Sequence, residues 1–175
     1  LPIVTLRQVA WKSGIKEILW IYQDQSNNLD LLRDKYGITW WDEWDLGDRT
    51  IGQRYGATVK RYKLIDKLLE NLKNQPYGRR HIINLYQEAD LEETAGLFPC
   101  AMETQWSVRD GYLDLTLIQR SSDVAVANAI NKIQYVALQM MVARHVGLEP
   151  GVFCHYVNNA HIYDRHVDQI REMIA

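Results

Sequence analysis

Residues 104–118 constrain this chain more tightly than any other stretch. Thr104, Trp106 and Val108 alternate with Gln105, Ser107 and Arg109, and Leu113, Leu115 and Leu117 alternate with Asp114, Thr116 and Ile118. Asp110-Gly111 stands between the two runs. A period of two sends alternate side chains to opposite faces, and Asp-Gly suits a two-residue turn, so the pattern predicts an antiparallel hairpin. Helical patterns lie on both sides of it. Trp11 to about Gln23 reads as a buried helix, because its Glu-Ile-Leu-Trp-Ile-Tyr centre is apolar nearly all round, and Asn27-Asn28 reads as its end. Leu29 to Lys35 reads as a short helix stopped by Gly37. Ile65, Leu68, Leu69 and Leu72 give Lys63 to Asn74 an amphipathic helical period. Ile130 to Val146 is a long helix with little polar face, and Asp164 to Ile174 begins a last one. His81 to Tyr86 and Val152 to Val157 read as further strands, and Leu1 to Leu6 as a short extended piece. Together these predict an α+β fold: one mixed, largely β-sheet layer with helices packed on one face.

No repeat, low-complexity tract or linker divides the 175 residues, so residues 1–175 read as a single domain. The chain opens on Leu1 rather than Met and stops at Ala175 inside a helical pattern, as a segment cut from a longer protein would. Lys plus Arg total 20 against 22 for Asp plus Glu, a balance with no bulk pull toward nucleic acid or an acidic membrane surface. No apolar run approaches the roughly 20 residues of a membrane span. Six Trp and ten Tyr against two Phe favour aromatic rings with a polar handle, suited to pocket walls as well as to packing. With only Cys100 and Cys154 and no secretory signal, a reducing, cytoplasmic setting is expected.

The residues able to carry chemistry are few. Cys154 lies in an apolar strand and reads as an inert, buried thiol. Cys100 follows Pro99 in a loop just before a strand, in a chain that offers it cationic company in Arg79, Arg80 and Arg120. Glu17 sits within the apolar helix, where a carboxylate is either satisfied by a structural partner or held for acid–base work. Arg79-Arg80 follows a turn and suits a phosphate or a solvated strand start. Arg120-Ser121-Ser122-Asp123 places a guanidinium, two hydroxyls and a carboxylate at a strand end. His161 and Tyr163, two apart, face the same way if that segment is extended. No phosphate-binding glycine loop and no metal-spaced His/Cys cluster is present in the sequence, so no metal is expected.

Eight short motifs in order along the chain resemble the folate-dependent, cysteine-nucleophile thymidylate synthase family: Glu17-Ile18-Leu19-Trp20, Trp41-Asp42-Glu43-Trp44, Ile51 to Gly56, Arg79-Arg80, Pro99-Cys100, Gln119 to Asp123, Asn131 with Tyr135, and His161-Ile162-Tyr163. The resemblance implies conversion of dUMP to dTMP with 5,10-methylenetetrahydrofolate as donor of carbon and hydride. By that resemblance Cys100 adds to uracil C6. Arg79, Arg80, Arg120 and Ser121 hold the phosphate, with Arg120 also favouring the Cys100 thiolate and Gln119 within the nucleotide-binding set. Asn131 pairs with the uracil edge, and His161 and Tyr163 bond the deoxyribose. The folate lies against Trp41 and Trp44 with Asp123 near its pterin, while Glu17, assisted by Tyr55, organises proton transfer. It further implies a homodimer formed through the sheet, in which the paired arginines complete the partner's site. Alternatives on the same scaffold are a pyrimidine nucleotide hydroxymethylase and an inactive nucleotide- or RNA-binding relative. Departures from the family pattern include Ala101 after the nucleophile, where many members carry His, and Ala129-Ile130 before Asn131.

Overall fold

The computed structural model describes residues 7–175; the extended piece expected over Leu1 to Leu6 lies outside them. The elements are α1 (Trp11–Tyr22), α2 (Leu29–Tyr36), α3 (Gly56–Tyr62), α4 (Leu64–Asn74), β1 (Ile82–Asn84), α5 (Glu88–Glu93), β2 (Ala101–Arg109), β3 (Tyr112–Asp123), α6 (Ala127–Val146), β4 (Glu149–His161) and α7 (Val167–Ile174). Short 3₁₀ turns cover Asp42–Trp44 and Asp164–His166.

The expected hairpin is present and longer than its alternating core. Asp110 and Gly111 have φ of 50° and 82°, the doubly positive pair that a type I′ turn needs and that glycine supplies without strain. β1, β2 and β3 pair antiparallel, β4 runs parallel to β3, and the strand order is β1-β2-β3-β4. Thr104 and Trp106 on β2 and Leu113, Leu115 and Leu117 on β3 share the buried face. α6 covers it, and α1 packs on α6. The buried polar residue Gln139 of α6 is answered: its amide donates to the carbonyls of Leu113 at 2.8 Å and Val152 at 3.2 Å, tying the helix across β3 and β4. The opposite sheet face carries Ile82, Tyr112, Val152 and Tyr156, all exposed. Helices on one side of a single mixed sheet match the α+β layer expected from the residues. Among the described residues no helix is long and apolar enough to cross a membrane.

Several boundaries differ. α1 ends at Tyr22, and Asn28 starts the next helix instead of ending the first: its Oδ1 accepts from the Leu31 N–H at 2.7 Å, an N-cap. α3 and α5 carry no pattern long enough to see. The strand expected over His81 to Tyr86 shrinks to three residues, whereas Val152 to Val157 extends to thirteen. Cys154 corrects an expectation: it is exposed, because the apolar residues of β4 alternate and Val152, Cys154 and Tyr156 take the open face.

Candidate active site

Pro99 and Cys100 arrive at the start of β2 directly opposite the end of β3. The Arg120 N–H donates to the Cys100 carbonyl at 3.0 Å, so strand pairing itself places a guanidinium beside the thiol. That guanidinium donates to the carbonyls of Phe98 at 2.8 Å and Pro99 at 3.0 Å, and its Nη2 stands 3.8 Å from Cys100 Sγ. Arg120 thus clamps the loop that presents the sulfur. Burial pushes the Cys100 thiol up, and the Arg120 charge pulls it back only in part. The expected help toward the thiolate has the right sign and is outweighed by desolvation.

Tyr55 holds the other side of the sulfur-bearing residue. Its hydroxyl accepts from the Cys100 N–H at 3.2 Å, and its ring packs edge-on against Trp41 with centroids 5.2 Å apart. Tyr55 has φ of 47°, an unusual value for a bulky residue and a sign of stored strain. The next residue, Gly56, lets the Ser26 backbone pack against this turn, since a Cβ there would strike it. Burial, then the neighbouring Cys100, push the Tyr55 phenol above its ordinary value, so it stays a hydroxyl.

Glu17 is buried on α1, and both its oxygens are occupied. Oε1 accepts from the Trp41 indole at 2.8 Å; Oε2 accepts from the Trp40 indole and the Gln134 amide, each at 3.0 Å. Desolvation still outweighs these three donors, and the carboxyl is pushed up to about 7. A group poised there can give or take a proton at neutral pH.

A row of side chains runs from Glu17 through the floor of the site. Gln134 Oε1 accepts from Asn131 Nδ2 at 2.9 Å, Asn131 Oδ1 accepts from Gln119 Nε2 at 3.0 Å, and Gln119 Oε1 lies 2.8 Å from His155 Nε2. Glu17, Trp40, Trp41, Trp44, Tyr55, Cys100, Asn131 and Gln134 all line one cleft of about 320 Å³, closed by Leu97, Val126 and Ile130. The sulfur, the carboxylate and the amide therefore meet over one space, with flat aromatic walls to receive a planar ring.

The other expected residues fall outside this lining. Asp123 does not face it: Oδ1 accepts from the N–H groups of Ala125 and Val126 at 2.9 and 3.3 Å, shaping the turn that brings Val126 to the cleft. His161 and Tyr163 pack their rings edge to face at 5.1 Å, as two residues of an extended segment should, but away from the cleft. Ser121 pairs along β4 opposite Asn159. Arg79 and Arg80 are exposed on the turn before β1, and Arg79 lines a separate hollow with His81, Ser107 and Thr116. Sequence reasoning missed Trp40 and Gln134. The signal for Gln134 was its place three residues after Asn131, on the same face of a helix.

Comparison with known proteins points to one family. A family model described as thymidylate synthase matches residues 1–175. Thymidylate synthases of Lactococcus lactis subsp. cremoris and Streptococcus sanguinis are 57% and 54% identical over 178 residues, 99% of this chain. Thermostable thymidylate synthase A from Bacillus subtilis superposes with a TM-score of 0.93 at 40% identity over 99% of the chain. The chain spans just under two thirds of these proteins, 64% of the Lactococcus and Streptococcus enzymes and 65% of the Bacillus chain. Backbone, motif order and the thiol, carboxylate and amide of the cleft converge on one conclusion: the chain belongs to the thymidylate synthase family.

Proposed function

We propose that this chain carries the catalytic centre of an enzyme that methylates dUMP to dTMP, with 5,10-methylenetetrahydrofolate as source of both the carbon and the hydride. The single observation that carries the reading is the meeting of Cys100, Glu17 and Asn131 over one tryptophan-lined cleft. Uracil C5 is a weak nucleophile. Addition of the Cys100 sulfur to C6 makes C5 enolate-like and able to attack a one-carbon electrophile. Arg120, 3.8 Å from the sulfur, stabilises the thiolate that begins the addition. The oxygen and NH₂ of Asn131 answer the N3–H and O4 of uracil. Glu17, titrating at about 7, serves removal of the C5 proton, with the Tyr55 hydroxyl alongside. The folate supplies a methylene and then a hydride, and leaves as dihydrofolate while the C6–S bond breaks. The faces of Trp41 and Trp44 suit its pterin, while Asp123 shapes the turn that carries Val126 into the cleft wall.

The nucleotide phosphate falls to Arg120 and Ser121 with Arg79 and Arg80, and the deoxyribose to His161 and Tyr163, in a homodimer whose paired arginines complete the partner's site. Two observations support the dimer: Arg79 and Arg80 stand exposed away from the Cys100 cleft, and the far sheet face exposes Ile82, Tyr112, Val152 and Tyr156. Both cysteines are free thiols, in keeping with a cytoplasmic enzyme.

The test is spectrophotometric, with dUMP and methylenetetrahydrofolate. Dihydrofolate absorbance should rise with dTMP, and Cys100→Ser should lose at least about a thousandfold in turnover while still binding dUMP, because a hydroxyl is scarcely ionised at neutral pH. A variant keeping a tenth of the activity would remove Cys100 from the mechanism. Consumption of nucleotide without dihydrofolate would mean that water, not hydride, completes the reaction.

A further inference from the structure

The row His155–Gln119–Asn131–Gln134–Glu17 has a direction. Indole N–H groups can only donate, so Trp40 and Trp41 hold the Glu17 oxygens as acceptors. Gln134 must therefore turn its NH₂ to Glu17 and its oxygen to Asn131. Asn131 must then turn its NH₂ to Gln134 and its oxygen to Gln119, and Gln119 its oxygen to His155, whose Nε2 carries the hydrogen. The far end is weaker in this respect, because a histidine can exchange tautomers and accept where it had donated. Of the two ends only Glu17, in its ionised form, resists reversal, and Gln134 is the link through which that resistance reaches Asn131.

The orientation matters because an amide presents different edges the two ways round. With its oxygen and NH₂ placed as found, Asn131 offers an acceptor and a donor for an imide N–H beside a carbonyl. Cytosine presents an acceptor beside an amino group and needs the amide reversed. Reversal would set NH₂ against NH₂ at Gln119 and oxygen against oxygen at Gln134, unless the whole row turned, which an ionised Glu17, with no hydrogen to donate, forbids.

We propose that Gln134 is a positioning residue that fixes which way the Asn131 amide faces by tying it to Glu17, and so makes the cleft select a pyrimidine with an imide edge over one with an amino edge. This inference rests on the reading of Asn131 as the group that meets the base. Gln134→Met keeps length and bulk and removes both hydrogen bonds. With the tie cut, Gln119 and Asn131 can turn together while His155 changes tautomer.

The experiment is calorimetric binding of dUMP and dCMP to the protein, to Gln134→Met and to Asn131→Asp, at about pH 8.5 so that Glu17 is ionised, with thermal melts of each. The expected result is a dUMP-to-dCMP affinity ratio at least tenfold smaller in Gln134→Met than in wild type, mostly through gained dCMP affinity, with His155→Phe leaving the ratio near wild type. Equal loss for both nucleotides would make Gln134 a packing residue and overturn the proposal, while a shifted ratio in Asn131→Asp would leave the reading of Asn131 standing. No preference in wild type and no shift in Asn131→Asp would bring down both. Gln134→Asn, too short to span the gap, is the second variant, with the same expected relaxation. Failure of both Gln134 variants to fold would also assign the residue to packing and overturn the proposal.

Discussion

Glu17 is where opposed forces are most finely set. Three N–H donors favour its carboxylate, yet burial wins and lifts it to about 7 from the usual 4.5. Between those values the folded chain keeps a proton that the unfolded chain has lost, so folding stability falls as pH rises across the window. The difference converts to roughly 3 kcal/mol, fully present below the unfolded value and lost as pH climbs through 7. Glu17→Gln has no such proton to release. Denaturant titrations of both forms at about pH 5 and about pH 8 should show the gap between them moving toward the variant by about 2.5 kcal/mol, part of the difference being already lost at the lower pH. A gap independent of pH would mean that Glu17 does not titrate in the folded cleft. That a carboxylate in the buried helix must be either satisfied by a partner or held for acid–base work was legible at Glu17 itself. Its partners were not, because Trp40 and Gln134 lie 23 and 117 residues away along the chain.

Among the elements, the two that sequence patterning did not reveal are those that brace the nucleophile loop. α3 spans seven residues and α5 six, fewer than two turns each, too short for an i, i+3, i+4, i+7 period to declare itself. They are held by tertiary contacts instead. Asp90 on α5 is buried and takes bonds from Thr58, Arg61 and Tyr62 on α3. Arg54, 1% exposed, donates to the carbonyls of Asp90, Leu91 and Thr94, and its guanidinium lies 5.4 Å from the Phe98 ring, two residues before Cys100. Arg54→Leu would strand those buried carbonyls, at about 3 kcal/mol or more. Arg54→Lys should recover only part of it, since one ammonium cannot span three acceptors as a planar fork does. Chemical denaturation measures both. Equal stability of Arg54→Leu and wild type would show that water satisfies the carbonyls and that the loop needs no such brace.

At the scale of the whole molecule, the arginines away from the Cys100 cleft make a prediction about assembly. If the proposed homodimer forms, Arg79→Ala should weaken dUMP binding, and Cys100→Ser should remove chemistry, each in a dimer of its own. Mixed and allowed to exchange, the two should regain activity, because one of the two sites in the heterodimer is then built from intact parts. Folded, exchanging variants that stay inactive together would place Arg79 within its own subunit's site or outside any site. What the sequence by itself determined was whatever depends on neighbours along the chain: the Asp110-Gly111 hairpin, the helical faces, the helix stop at Gly37, and motifs whose order names the family. Only the tertiary structure decided that Asp123 turns from the cleft to cap a loop, that Cys154 faces the open side of β4, and that Gln119, Asn131, Gln134 and Glu17 join in one directed row. The physical reason is that burial and hydrogen-bond direction are set by groups distant in sequence. A local period can say which face a side chain takes, but not what waits there to receive it.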